Sequence, residues 1–218
     1  MIILDFEKTA SFDIDCQKGF TNICPDELPV PGGETIVSEV NATAKFAKYR
    51  IGSKDWHPNV SLHMADKEHP QFSPVNLPNI DIRWNRHCIG NEKGSELLEG
   101  LPNWNEYDYF VWKGLQPDTH PYSAIYHDLQ KKLSTGVIEW LTVNNISTVL
   151  AVGIATDFCL KETAIDLAKK GFRVIVNMAA TKAINAQLDS GETTLTIAIK
   201  EMKTYNIQFI DNALELIQ

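Results

Sequence analysis

Apolar residues along this chain follow two alternating rhythms. Short, nearly continuous apolar runs are separated by stretches in which apolar residues return every third or fourth position. The runs predict strands at 9–16, 50–54, 107–112, 148–152, 173–176 and 206–211. The longer rhythm predicts a helix at about 34–49, with Ile36, Val37, Val40, Ala44 and Ala47 on one face. Further helices are predicted at about 136–144, 159–170 and 191–203. Strands alternating with helices imply a three-layer α/β/α fold with a mainly parallel central sheet. In such open sheets, ligands bind beyond the carboxyl ends of the strands.

Residues 56–106 break the rhythm. They carry Pro58, Pro70, Pro74, Pro78 and Pro102, together with His57, His63, His69 and His87. So long an irregular stretch in a compact domain is usually functional or disordered. Trp56, Trp84 and Trp104 argue against disorder. The organisation expected is one domain over 1–218, with an irregular, histidine-rich segment at about 55–106.

Composition narrows the classes. A chain of 218 residues can bury a substantial core. Its net charge of −8, with scattered Lys and Arg, argues against nucleic acid as the main partner. No apolar stretch has the length of a membrane span, and Met1–Glu7 does not read as a signal peptide. Cys16, Cys24, Cys88 and Cys159 form no CxxC pair, so they are expected reduced, in a cytoplasmic protein.

Three distant residues follow strand-like runs: Asp15, Lys113 and Cys159. Cys159 would stand in the first turn of a helix, where the helix dipole and free N–H groups favour a thiolate and can hold an oxyanion. Carboxylate, ammonium and thiol meeting at one sheet edge would suit catalysis through a covalent cysteine intermediate. A second group is Asp55, His57, His63 and His87. Residues i and i+2 of an extended chain share a side, so Asp55 and His57 can share one ion. A carboxylate with two or three imidazoles suits Zn²⁺, Fe²⁺ or Mn²⁺. Glu68, His69 or water remain alternatives to His63.

Several of these residues lie in collinear motifs. Asp15-Cys16-Gln17-Lys18-Gly19-Phe20 with Val30-Pro31-Gly32-Gly33 resembles the D-x-Q-x-x-F … V-P-G-G opening of the nicotinamidases (pyrazinamidases), members of the isochorismatase-like cysteine hydrolases. Asp55-Trp56-His57-Pro58 and Trp84-Asn85-Arg86-His87-Cys88 are similar to that family's metal-ligand motifs. Asn85 stands where the family usually has proline. Lys113-Gly114 with Tyr122-Ser123-Ala124 resembles its lysine segment, and Gly153-Ile154-Ala155-Thr156-Asp157-Phe158-Cys159 its nucleophile segment.

The resemblance implies hydrolysis of nicotinamide to nicotinate and ammonia in NAD salvage. It implies Asp15, Lys113 and Cys159 as catalytic residues, and the backbone N–H groups of Ala155 and Cys159 as the oxyanion hole, beside a cis Ile154–Ala155 bond. It assigns one divalent ion, Zn²⁺ first, to Asp55, His57 and His87, with His63 as a candidate. Phe20, Trp84 and Tyr122 would hold a flat carboxamide such as nicotinamide or pyrazinamide. Family members are often dimers or larger, which leaves a homo-oligomer open. Two other readings stand beside this one. The chain could be a metal-independent amidase for another small amide, a carbamoyl or ureido compound, or a non-catalytic metal-binding scaffold.

Overall fold

The computed structural model describes residues 1–218. Its strands are β1 (Ile2–Ile3), β2 (Thr9–Ile14), β3 (Tyr49–Asp55), β4 (Pro74–Leu77), β5 (Ile80–Ile82), β6 (Tyr109–Lys113), β7 (Thr148–Ile154), β8 (Arg173–Lys182), β9 (Gln208–Ile210) and β10 (Leu216–Ile217). Its helices are α1 (Val37–Ala44), α2 (Val137–Val143), α3 (Cys159–Lys169) and α4 (Thr194–Thr204). Six strands form one parallel sheet in the order β6-β3-β2-β7-β8-β9. The mainly parallel sheet flanked by helices is the architecture the alternation predicts. β2 and β7 are buried along their whole length; β7 accordingly reads as a nearly unbroken apolar run, whereas β2 interleaves Thr9, Ser11 and Asp13 with Ala10, Phe12 and Ile14.

Strand order reverses between β2 and β7. The chain moves outward from β2 through β3 to β6, then returns to β7 and continues through β8 to β9. The carboxyl ends of these strands flank a topological switch point, where open α/β sheets form their ligand crevice.

Three elements differ from the sequence expectation. The first helix is shorter than 34–49. A 3-10 turn at Gly33–Thr35 precedes it, and after Ala44 the bonds Phe46 N–H to Thr43 O and Ala47 N–H to Ala44 O tighten the chain toward β3. β8 continues past Val176 to Lys182. A register shift opposite Val152 lets it re-pair as Gly153↔Thr181 and Ile154↔Lys182. Asn177, in the shifted stretch, donates to Thr43 Oγ1 (2.8 Å) and Glu39 Oε1 (2.9 Å) and so ties β8 to α1. The irregular segment contains a small antiparallel hairpin, β4–β5, that its prolines hide.

Gly153 is required where it stands. Its φ is +118°, and a Cβ there would lie 2.7 Å from the Ile14 carbonyl carbon, with the Ile14 oxygen closer still. No helix is long and apolar enough to cross a membrane. All four cysteines are free.

Candidate active site

Sheet register brings the first two charged groups together. Asp55 and Lys113 end neighbouring parallel strands and are direct Cα partners, so their side chains leave the sheet side by side. Lys113 Nζ lies 2.5 Å from Asp55 Oδ1 and 2.9 Å from Asp15 Oδ2. It also donates to the Pro121 carbonyl (3.3 Å) and lies 3.6 Å from Cys159 Sγ. Asp15, just beyond β2, adopts φ +48°. Ser53 of β3 holds it there: its hydroxyl donates to Asp15 Oδ1 (2.7 Å), and its carbonyl accepts the Asp15 N–H (3.2 Å). One carboxylate oxygen of Asp15, one of Asp55 and the Cys159 sulfur all lie within 4.8 Å of one another. The three strand-end residues singled out in the sequence therefore converge.

Gln17 belongs to the opening motif but carries no role in the sequence reading. Its side chain clamps the Asp55 backbone, donating to the carbonyl (2.8 Å) and accepting from the N–H (2.7 Å). Cys159 is the first residue of α3. The N–H groups of Phe158 and Leu160 both donate to the Ala155 carbonyl, whereas those of Ala155 and Cys159 find no protein acceptor. Two free donors beside the sulfur are what an oxyanion requires. The Ile154–Ala155 peptide is cis.

Burial sets the protonation of this group. Asp15 and Lys113 are 0 % exposed. Burial raises the Asp15 carboxyl; Lys113 opposes the shift, Asp55 adds to it, and the result stays above the usual carboxylate range. Burial also pushes Asp55 upward, but Lys113, then His57 and His87, outweigh it and hold that carboxyl well below the usual range. Burial, aided by Asp15 and Asp55 and opposed by Lys113, pushes the Cys159 thiol well up. Burial disfavours the Lys113 ammonium, yet Asp15, Asp55 and Cys159 keep it firmly charged.

On the other side of Asp55 stand four buried imidazoles, His57, His63, His87 and His120, whose nearest nitrogens lie within 4.8 Å of one another. His57 Nδ1 meets the Gly114 carbonyl (3.2 Å), and His87 Nδ1 the Asn85 carbonyl (2.6 Å). Both therefore present Nε2 inward, as metal-binding histidines do. Those two Nε2 atoms lie 3.7 Å and 3.8 Å from Asp55 Oδ2. Burial drives His63 down to about 2 and His87 to about 3, so both rings stay neutral and keep a lone pair to give. His57 Nε2 and both ring nitrogens of His63 and His120 are buried without a hydrogen-bond partner. Buried polar atoms are normally paired. A cluster of inward-facing nitrogens with none is a donor set that fits a divalent metal ion.

Asp55, His57, His63 and His87 meet as the sequence suggested. Glu68 and His69 are exposed on the surface, leaving His63 as the member of its segment in the cluster. His120 is the residue that sequence reasoning missed, because it lies outside the irregular segment.

Phe20, Trp84, His87, Tyr122, Ala155 and Cys159 line one narrow, mainly apolar cleft over the sulfur. Trp84 donates to Tyr122 (3.0 Å), whose hydroxyl donates to Asp81 (2.8 Å). Phe158, absent from the sequence assignments, packs edge-on to Trp84 at 4.8 Å and joins the lining. Arg86 turns outward to Glu92 (2.5 Å) and Asn59, so its charge does not enter the cleft. A larger polar cavity near Asn79, Thr119 and Lys132 holds neither the sulfur nor the imidazole cluster.

Known proteins align with this arrangement. A nicotinamidase of Acinetobacter baylyi is 31% identical over 175 residues, 79% of this chain and 80% of that one. A solved nicotinamidase/pyrazinamidase of Acinetobacter baumanii superposes with TM-score 0.84 at 27% identity, covering 96% of this chain and 98% of that one. A pyrazinamidase of Pyrococcus horikoshii, solved in complex with zinc, gives TM-score 0.72 at 27% identity over 93% and 98% of the two chains. The isochorismatase domain model matches residues 9–213, and with that span the chain belongs to the isochorismatase domain family.

Proposed function

We propose that this protein is a metal-dependent nicotinamidase, hydrolysing nicotinamide to nicotinate and ammonia through a thioester on Cys159. One observation carries the reading: Asp15, Lys113 and Cys159 converge within a few ångströms, beside a cluster of unpartnered imidazoles. The relatives named nicotinamidase support the choice of substrate. The zinc-bound pyrazinamidase supports Zn²⁺ as the ion. A cytoplasmic location and a role in NAD salvage belong to the same proposal.

Each group has a task that its surroundings suit. Asp15, with its raised proton affinity, accepts the Cys159 thiol proton as sulfur attacks the carboxamide carbon. The N–H groups of Ala155 and Cys159 receive the oxyanion. Asp15 then returns the proton to the departing nitrogen, which leaves as ammonia, and activates the water that cleaves the thioester. Lys113 keeps the two carboxylates and the sulfur in register throughout. Asp55, His57, His63 and His87 would hold the divalent ion, whose Lewis acidity toward a ring nitrogen would aim the carboxamide at sulfur. Phe20, Trp84 and Tyr122 would enclose the flat ring.

The test is ammonia release over a panel of carboxamides, with and without chelator. Nicotinamide and pyrazinamide should be turned over by the metal-loaded protein and not by Cys159→Ala. Retained activity in metal-free protein, on ureido or carbamoyl compounds, would favour the metal-independent alternative. No turnover of any amide would leave the scaffold reading.

A further inference from the structure

We propose that His120 is itself a metal ligand, joining Asp55, His57, His63 and His87 around the ion. The inference rests on the metal-dependent reading above and extends its ligand set with a residue from a different part of the chain.

His120 lies in the loop after β6, not in the irregular segment that supplies the other three rings. It is nonetheless central to the cluster. Its ring centroid is 4.3 Å from that of His63, 5.3 Å from His57 and 5.8 Å from His87. It is buried, and neither ring nitrogen has a hydrogen-bond partner. A histidine retained for packing normally pairs at least one nitrogen with a backbone group. Leaving both unpaired in a dry site carries a desolvation penalty, which a metal–nitrogen bond would offset.

The loop holds the ring in place from both sides. The His120 N–H donates to the Asn79 carbonyl (2.8 Å), and the next carbonyl, of Pro121, accepts from Lys113 Nζ (3.3 Å). The same backbone turn thus ties the lysine of the thiol group to the ion site. Nitrogen donors stand about 2.0–2.1 Å from Zn²⁺, so any two of them lie at most about 4.2 Å apart. The four nitrogens lie within 4.8 Å of one another, so modest ring rotation closes them on one ion. Four neutral imidazoles also leave the ion's charge undiminished, balanced only by Asp55, whose other oxygen is held by Lys113. A competing use of His120 is stacking: its ring lies nearly parallel to Trp84, with centroids 6.1 Å apart, and lines the cleft. Stacking there would engage the ring face and leave the nitrogens unpaired, so ligation accounts for more of what is seen.

The experiment is Zn²⁺ binding to metal-depleted full-length protein, by competition with a chromophoric chelator, together with the visible spectrum of the Co²⁺-loaded form. Loss of a single outer-shell partner already costs about 10–100-fold in affinity. His120→Ala should therefore weaken Zn²⁺ by at least about tenfold and shift the Co²⁺ bands, and added imidazole should restore both. His87→Ala is the control for the metal reading as a whole. If His87→Ala loses affinity while His120→Ala keeps wild-type affinity and spectrum, His120 is no ligand and the three-histidine site stands. If the wild-type protein does not bind Zn²⁺, both readings fail together. Should His120→Ala not fold, by circular dichroism, His120→Gln of similar bulk is read by the same criteria.

Discussion

Replacing Lys113 by methionine should destabilise the metal-depleted protein by about 3–5 kcal/mol, the usual result of stripping one partner from a buried ion pair. The substitution keeps most of the side-chain volume and removes one positive charge from between two buried carboxylates, at 2.9 Å and 2.5 Å. Two outcomes then compete. Both carboxylates can stay ionised and repel, or one can take a proton. Protonating an aspartate of ordinary pKa near 3.9 at pH 7.5 costs about 5 kcal/mol, at about 1.4 kcal/mol per pH unit. That figure is a ceiling, because burial has already moved Asp15 part of the way. The sign with pH follows. A carboxyl whose folded pKa is raised by the mutation contributes no penalty below its unfolded pKa and loses stability as pH rises toward the folded value. The difference between variant and wild type should therefore shrink as pH is lowered from 8 toward 5. Urea unfolding in the presence of chelator measures it, with an unchanged m-value as the check that the unfolded reference is the same. Adding Asp15→Asn to Lys113→Met should recover part of the loss, a coupling that a double-mutant cycle reads directly. A penalty below about 1 kcal/mol that does not vary with pH would refute the claim that Lys113 neutralises this pair.

Two further outcomes follow from the same geometry. Because Asp15 must be ionised to take the thiol proton, and its carboxyl is raised by burial against the opposition of Lys113, kcat/KM should fall on the acid side at a pH above the ordinary carboxylate value of about 4. A pH–rate profile recorded with metal content monitored would contradict this if activity persisted undiminished to pH 4. Gly114→Ala should weaken Zn²⁺ binding by at least about tenfold, because Gly114 has φ +70° and a Cβ there would lie 2.5 Å from His57 Nδ1. Chelator competition measures that too, and wild-type affinity in a folded variant would count against His57 as an inward-facing ligand.

Some of this site is written locally in the sequence and some is not. Asp15, Asp55, Lys113 and Cys159 are legible because a parallel sheet sends its strand ends to one edge: Asp55 and Lys113 end β3 and β6, Asp15 directly follows β2, and Cys159 opens the helix after β7. The Asp55↔Lys113 register then does the rest. His120 is not legible, since 57 positions separate it from His63 and no short spacing links them; only the path of the loop after β6 brings it in. Asp157 is another residue of this kind. It accepts from the Ile184 N–H (3.1 Å), the Asn185 N–H (2.8 Å) and the Thr194 hydroxyl (2.5 Å), strapping the start of α4 to the nucleophile turn. The length of β8 was hidden for a related reason. Its continuation depends on the register shift near Gly153, a property of two paired strands and not of either alone.

On the proposed mechanism, the two carboxylates flanking Lys113 let one buried pocket support both a nucleophile and an ion. Both are fully desolvated, and burial alone would raise both. Their neighbours separate them. Asp55 has Lys113 at 2.5 Å on one oxygen, which holds it ionised, and turns the other toward the imidazole cluster. Asp15 has Lys113 on one oxygen and only the Ser53 hydroxyl on the other, so it is the carboxylate on which a proton costs least. Pairs of titratable groups pushed apart by their surroundings mark the division of acid–base work. In the proposed mechanism the proton leaving the Cys159 sulfur goes to Asp15, the carboxyl that burial has raised. An ion bound at the imidazoles would deepen the asymmetry by stabilising the Asp55 charge further. The imidazole cluster and the thiol group are thus electrostatically linked through Asp55 and Lys113, which is why removal of the lysine is the most informative perturbation of this protein.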